Sequence, residues 1–288
     1  MSGTIIDGKQ VAAEVRGEVA ADVAAFVERY GRAPGLATIL VGEDPASAVY
    51  VGGKQRACKE VGLQGFDHRL PADATREQVV ALIDELNADE RVSGIICQLP
   101  VPAHLDGVEL TNLIAAEKDV DGLTVASAGR LALGLPGLRP CTPAGVIRLL
   151  DHAGVELQGT EAVVIGRSNL FGKPMGQLLL QRNATVTTAH SRTTDLPAVA
   201  ARADVLIVAV GRAQMVQSDW VKPGATVIDV GMNRLEGGTL VGDVDFDAVA
   251  PVAGAITPVP GGVGPMTIAK LLANTVQAAR MQAGEEPK

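Results

Sequence analysis

The sequence predicts an α/β protein of two domains, and three observations carry that prediction. Short strands rich in Val, Ile and Leu alternate with longer helical segments between Leu36 and Leu99, the alternation restarts near Ala162, and 288 residues suit two domains better than one. With four Phe, two Tyr and one Trp in a chain that is 47% hydrophobic, the interior must be aliphatic, as β-branched strands and Ala-rich helices make it. The expected division puts residues 1–139 and 266–288 in an N-terminal α/β domain and 140–265 in a second domain, with an active-site cleft between them.

The elements follow in order. Val11, Val15, Val19, Val23 and Val27 recur every four residues between Gln10 and Tyr30, and Gly31 supplies a stop, so this segment is a helix. Leu36–Val41 is a buried strand, Pro45–Val61 a helix and Gly65–Leu70 a strand. Thr75-x-x-Gln78 is a capping box that opens a helix running to about Leu86, and Gly94–Leu99 is a buried strand ended by Pro100. This alternation implies parallel strands joined by right-handed crossovers. Leu135–Pro140 reads as a loop. Beyond it come strands at Ala162–Gly166, Thr185–Ala189, Val205–Ala209 and Ala225–Val230, with a helix over Met175–Gln181. A last helix, Met266–Met281, follows the Pro/Gly-rich segment Thr257–Pro265 and is placed back on the first domain.

Composition excludes several classes. A formal charge of −8 with so few aromatics lacks both the basic footprint and the stacking platforms of nucleic-acid binders. Cys58, Cys97 and Cys141 are dispersed without a Cys-x-x-Cys pair, which points away from a disulfide framework or a zinc site; no metal is expected. A charged N-terminal leader and a run of about 18 apolar residues are both lacking, so a soluble cytoplasmic protein with no membrane partner is expected. His-Glu-x-x-His and the P-loop pattern do not occur.

The second half carries a nucleotide-binding pattern. The strand ending at Ile165 runs into Gly166-Arg167-Ser168 and then a helix, an arrangement in which a glycine lets backbone approach a pyrophosphate and helix amides cradle its charge. The strict Gly-x-Gly-x-x-Gly fingerprint is missing, so the spacing alone is a weak signal and an ordinary tight βα turn stays open as the alternative. The next strand ends in His190-Ser191-Arg192, where an NAD-binding domain would carry a carboxylate for the ribose. A hydroxyl and a guanidinium there, with Arg167 nearby, suit a 2′-phosphate and predict NADP, against the alternative of solvated loop residues. Gly211 and Gly231 put small residues at two further strand ends, where a nicotinamide would pass.

In the first half Tyr50 and Lys54 share a helix face, as many surface pairs do. Gly52 and Gly53 between them each cost about 1 kcal/mol in a helix interior, so they mark either a close approach or a frayed, kinked helix. Gln98 sits on an apolar strand and is either satisfied by backbone or aimed into the cleft. Lys118-Asp119-Val120-Asp121-Gly122 sets two carboxylates in a loop that also reads as a solvated turn.

Taken together, Tyr50-Val51-x-x-Lys54, Gln98-Leu99-Pro100-x-Pro102, Lys118–Gly122, Pro140-Cys141-Thr142-Pro143, Gly166-Arg167-Ser168 and Thr257–Thr267 stand in the order found in the bifunctional methylenetetrahydrofolate dehydrogenase/cyclohydrolase family, which the chain resembles from about Ile5 to Val276. The resemblance implies a Rossmann-like NADP-binding domain beside a folate domain. It also implies NADP-dependent oxidation of 5,10-methylenetetrahydrofolate to the 5,10-methenyl cation, followed by hydrolysis to 10-formyltetrahydrofolate. By position it implies Lys54 as general acid/base, Gln98 as its hydrogen-bond partner, Asp121 as the pterin anchor and Tyr50 as the wall for the aminobenzoyl group. Leu99, Pro100, Pro258, Gly261 and Gly262 would line the folate site. Gly166, Arg167, Ser168, Ser191 and Met232 fall on the family's cofactor positions, to which the strand-end reading adds Arg192 and Gly211. A homodimer and folates with or without a polyglutamate tail are implied as partners. Phe171 and Met232 depart from the commoner residues at their positions. A dehydrogenase without the hydrolytic step, a shikimate-dehydrogenase-like oxidoreductase and a catalytically silent nucleotide sensor are the alternatives.

Overall fold

The structure, a computed structural model, describes residues 3–286. In chain order its first elements are β1 (Thr4–Ile5), α1 (Gly8–Tyr30), β2 (Gly35–Val41), α2 (Pro45–Val61), β3 (Gln64–Leu70), α3 (Arg76–Ala88), β4 (Gly94–Cys97), α4 (Gly107–Asn112), α5 (Val125–Ala132) and α6 (Cys141–His152). Then come β5 (Glu161–Ile165), α7 (Gly172–Gln181), β6 (Thr185–Ala189), α8 (Leu196–Ala200), β7 (Val205–Val208) and a single 3-10 turn at Ser218–Trp220. The chain continues through β8 (Thr226–Asp229), β9 (Asn233–Arg234), β10 (Leu240–Val241), α9 (Phe246–Val249), β11 (Ala255–Ile256) and α10 (Val263–Gln282).

These elements form two compact units. The β2 unit comprises Glu14–Cys141 and the chain from Ile268; the β5 unit comprises the chain to Ala13 and Thr142–Thr267. The segment up to Ala13 thus leaves the N-terminal domain in which the sequence argument placed it. The cause is β1, which pairs in parallel with β11, Thr4 opposite Ala255 and Ile5 opposite Ile256. A two-residue strand has no periodicity to read.

The β2 unit is built on a three-stranded parallel sheet in the order β3-β2-β4. Every residue of β2 is buried, as expected of a central strand covered on both faces. Ile39, Ile83, Ile95 and Leu110 lie in its hydrophobic core. The capping box at Thr75 and Gln78 is present in full. In α1 the valine ladder is buried through Val23, whereas Val27 is 39% exposed and Phe26 takes its place. A four-residue step overshoots a helical turn by about 40°, so the ladder rotates off the buried face by its fifth rung.

The β5 unit holds a six-stranded sheet in the order β1-β11-β8-β7-β5-β6, every neighbouring pair parallel. Chain order reverses direction at β5, between β6 on one side and β7 on the other, and the turns that follow the strands all leave from one edge. Such a switch point is where ligands bind in open parallel sheets. Helix α6, for which the sequence gives no element, starts directly after the loop that ends at Pro140. Pro143 lies in its first turn, where its missing N–H is not needed, and Val146, Leu149 and Leu150 are buried at helical spacing.

Candidate active site and cofactor cavity

In the β2 unit the C-terminal end of β4 and one face of α2 bring Lys54 and Gln98 together. The strand stops at Cys97 rather than Leu99, and Gln98 still donates its amide to Ile39 O (2.9 Å) before the chain turns at Pro100. Lys54 is 5% exposed. Its Nζ donates to Gln98 Oε1 at 2.9 Å, and Gln98 Nε2 donates to Leu99 O at 2.7 Å. The second bond orients the first, because an amide whose N–H₂ is engaged by a carbonyl must present its oxygen to the amine. Burial pushes the Lys54 amine below the usual lysine range, while the Asp121 carboxylate opposes the shift. The same burial pushes Asp121 upward, against the pull of Lys54. Lys54 Nζ lies 5.9 Å from the centroid of the Tyr50 ring, and Tyr50 keeps 37% of its surface exposed. Leu99 and Pro100 line a hollow of about 600 Å³ together with Val101, Ala103 and His104.

The loop Lys118–Gly122 divides its labour. Lys118 is buried and its ammonium donates to Leu86 O (3.0 Å) and Asp89 O (2.8 Å), closing the C-terminal end of α3. Asp119, fully buried, accepts from Leu123 N, Thr124 N and Ser127 Oγ at the start of α5. Two of the three charged side chains are therefore scaffold, which leaves Asp121 beside the amine. From α10, Asn274 Nδ2 donates to Val120 O and to Arg139 O, both at 2.8 Å, and holds the loop in place. Gly52 and Gly53 lie in an unbroken α2; a Cβ at Gly52 would meet open space and one at Gly53 only Ile268 Cδ1 at 3.8 Å. Nothing in the structure explains that pair.

In the β5 unit a cavity of about 550 Å³ opens at the switch point. It is lined by Gly166, Arg167, His190, Ser191, Val210 and Arg212, with Trp220 and Met215 among its apolar walls. Gly166 has φ +135, a conformation that residues with side chains rarely adopt, and a Cβ there would collide with Ala209 O. Gly172, the first residue of α7, packs just as tightly against Gly166 O. These two glycines do locally what the missing fingerprint would do. Ser168 Oγ accepts from Phe171 N at 3.2 Å and so faces the α7 N-terminus. His190 accepts from Arg192 N through Nδ1 (3.2 Å), which folds the turn and leaves the Arg192 side chain exposed and outside the cavity lining.

The other sequence-derived positions scatter. Met232 is 54% exposed, with its Cε near Gly264. Gly211, at φ +66, has no neighbour a Cβ would touch. Gly231 is small for a reason other than a passing ligand: its missing side chain makes room for Asp243. Pro258, Gly261 and Gly262 belong to the β5 unit, where Pro258 lines a smaller pocket with Asp229 and Gln214. Arg212, a cation in the lining, went unread; the signal was its place directly after Gly211 at a strand end. Among the described residues, no group of three or more His, Cys, Asp and Glu could hold a metal ion, and no helix is long and apolar enough to cross a membrane.

A parallel sheet whose switch point carries a glycine-lined turn and a basic cavity defines a nucleotide-cofactor-binding α/β protein. Residues 6–121 match the family model "Tetrahydrofolate dehydrogenase/cyclohydrolase, catalytic domain", and residues 140–283 match the NAD(P)-binding domain of the same family. The chain belongs to the tetrahydrofolate dehydrogenase/cyclohydrolase family. It is 63% identical over 283 residues to the bifunctional protein FolD 2 of Frankia alni, covering 98% of each chain. The FolD methylenetetrahydrofolate dehydrogenase/cyclohydrolase crystal structure from Campylobacter jejuni superposes with a TM-score of 0.95 at 45% identity, covering 98% of this chain and 100% of that one. The corresponding Trypanosoma brucei enzyme, complexed with NADP and an inhibitor, gives 0.93 at 38% identity, covering 98% and 99%.

Proposed function

We propose that this chain oxidises 5,10-methylenetetrahydrofolate with NADP+ and hydrolyses the resulting 5,10-methenyl cation to 10-formyltetrahydrofolate. The observation that carries this reading is the hydrogen-bond chain from the buried Lys54 amine through Gln98 to Leu99 O, beside Asp121, in a chain of this family. Folate and the hydrolytic step fall to the β2 unit, the cofactor to the β5 unit. The cavity fits NADP: two glycines open the backbone at the end of β5, and Arg167, Ser191 and Arg212 offer a phosphate donors with no carboxylate in the lining. When bound, NADP+ supplies the hydride acceptor.

The hydride transfer needs alignment and no proton movement. Tyr50 offers a half-exposed ring as a wall for the aminobenzoyl group, and Asp121 presents carboxyl oxygens to the donor edge of the pterin. Hydrolysis does need a base. Water adds to the methenyl carbon and loses a proton to the amine. The carbon's bond to N5 then breaks as N5 takes a proton and the remaining hydroxyl gives up its own to become the formyl carbonyl, so a single amine can take one proton and return it while the second is released to solvent. A free lysine, with a pKa of about 10.4, is charged at neutrality and unable to accept that proton; burial moves Lys54 toward the neutral form. A neutral Gln98 orients the amine without holding its charge.

Gln98→Glu tests this electrostatic role. Because the neutral amine is the base, the hydrolysis rate climbs as pH rises through the lowered Lys54 pKa. A carboxylate at position 98 favours the ammonium and raises that pKa, by about 1–3 units for a close partner. The pH–rate profile should move to higher pH and the rate at pH 7 should fall by about tenfold or more. An unmoved profile contradicts the role.

The overall reading is tested by incubating the protein with methylenetetrahydrofolate and either NADP+ or NAD+, following reduced cofactor and then the methenyl absorbance. NADP+ should be preferred and the methenyl species should decay faster than in buffer. Persistence at its uncatalysed lifetime would leave only a dehydrogenase, and an inert mixture would leave the sensor. A homodimer is supported by β3, an edge strand of its sheet with alternating exposed residues; sedimentation at the dimer mass would agree. Polyglutamylated folates are accepted substrates in this reading. A reducing cytoplasm suits Cys58, Cys97 and Cys141, all buried free thiols, the first pushed by burial up to about 12.

A further inference from the structure

Asp243, in the bend after β10, is fully buried and accepts four hydrogen bonds, the full capacity of a carboxylate. Oδ2 takes the amides of Val210 (2.6 Å) and Gly211 (3.0 Å); Oδ1 takes the amide of Arg212 (2.8 Å) and Asn233 Nδ2 (2.9 Å). Three consecutive amides converging on one anion make a backbone nest, and here the chain's own carboxylate fills it. Asp243 is fixed in turn. Its amide and that of Val244 donate to Asp229 at the end of β8, both at 2.9 Å, and Gly231 N donates to the same carboxylate. Side chains on Gly231 and Gly242 would run into the Asp243 and Asp229 carboxylates respectively. Two buried acids and two glycines are thus committed to one crossing of loops.

What the crossing holds is the wall of the cavity. Val210 and Arg212 line it together with Gly166 and Arg167, and Ala209 O presses on Gly166. Asn233 follows the turn after β8, so Asp243 ties the ends of β7 and β8 to each other. We propose that Asp243 is a positioning residue for the cofactor: its carboxylate, with Asn233 as the second tie, sets the Val210–Arg212 turn as a wall of the NADP site. The inference rests on the reading that this cavity takes NADP. It confines the effect of Asp243 to the dehydrogenase step, since hydrolysis is assigned to Lys54 in the other unit.

Asp243→Asn keeps the side-chain shape but turns one acceptor oxygen into an N–H₂ that faces amide donors. Asn233→Ala removes one tie and leaves the nest itself. Steady-state rates are measured for NADP+ reduction and, separately, for hydrolysis of 5,10-methenyltetrahydrofolate. The KM for NADP+ should rise about 10- to 100-fold in Asp243→Asn and by a smaller factor in Asn233→Ala, with hydrolysis in both within about twofold of the unmodified protein. An unchanged NADP+ KM in Asp243→Asn, or parallel loss of both activities in the two variants, overturns the proposal. If Asp243→Asn fails to fold, Asn233→Ala decides, and an unchanged KM there overturns it. Failure of the unmodified protein to reduce NADP+ would instead strike the cofactor reading, so the two failures are separable.

Discussion

Replacing Lys54 with Met should abolish hydrolysis of the methenyl cation, by a factor of about 10² to 10⁴, and leave NADP+ binding in place. The substitution is chosen for its packing. Lys54 is 5% exposed, so most of its stem is enclosed, and an unbranched thioether occupies similar space with no charge to desolvate. Gln98 Oε1 loses its partner, at a cost of about 1–3 kcal/mol if water does not replace it. The removal of a buried amine works in the opposite direction, since burial disfavours its charged form. Thermal unfolding should therefore shift little, while decay of the methenyl absorbance slows to near its rate in buffer. Hydride transfer needs no proton, so NADP+ should still be reduced. Full hydrolytic turnover in the variant would remove Lys54 from the role of base and with it the main argument for a bifunctional site.

Several features of this site were legible because they are local. A glycine where a strand meets a helix, a Tyr and a Lys four apart, and a glutamine at the end of an apolar strand all occupy positions fixed by one element. The unread features are those set by pairing between distant segments. Asp119 and Asp121 are alike as residues, and it is the family resemblance that singles out Asp121; the contacts of Asp119 with the start of α5 supply the physical reason that it is scaffold. Gly231 reads as room for a ligand until Asp243, twelve residues on, fills the space. The same distance hides β1, which exists through its pairing with β11. Where a local rule was read without its geometry, it drifted: the valine ladder of α1 has the right residues, yet a four-residue step cannot stay on one helix face.

Gly166→Ala should raise the KM for NADP+ by about 100-fold or more, with hydrolysis spared. Two separate costs meet at this position. The backbone sits at φ +135, which an alanine tolerates poorly, and the new methyl would collide with Ala209 O and lie 3.2 Å from Ala209 C. Strain of about 1–3 kcal/mol follows from the conformation alone; the collision then forces the turn away from β7, where it serves as the floor of the cavity. Gly154→Ala separates the two costs. Gly154 also has a positive φ, +68, but a Cβ there meets nothing within 4 Å, so that variant should lose stability without losing affinity for NADP+. If both variants bind NADP+ as the unmodified protein does, the close approach of β5 and β7 does not shape the cofactor site. If only Gly166→Ala loses affinity, the loss is assigned to the crowding at Ala209, the residue that precedes the turn held by Asp243.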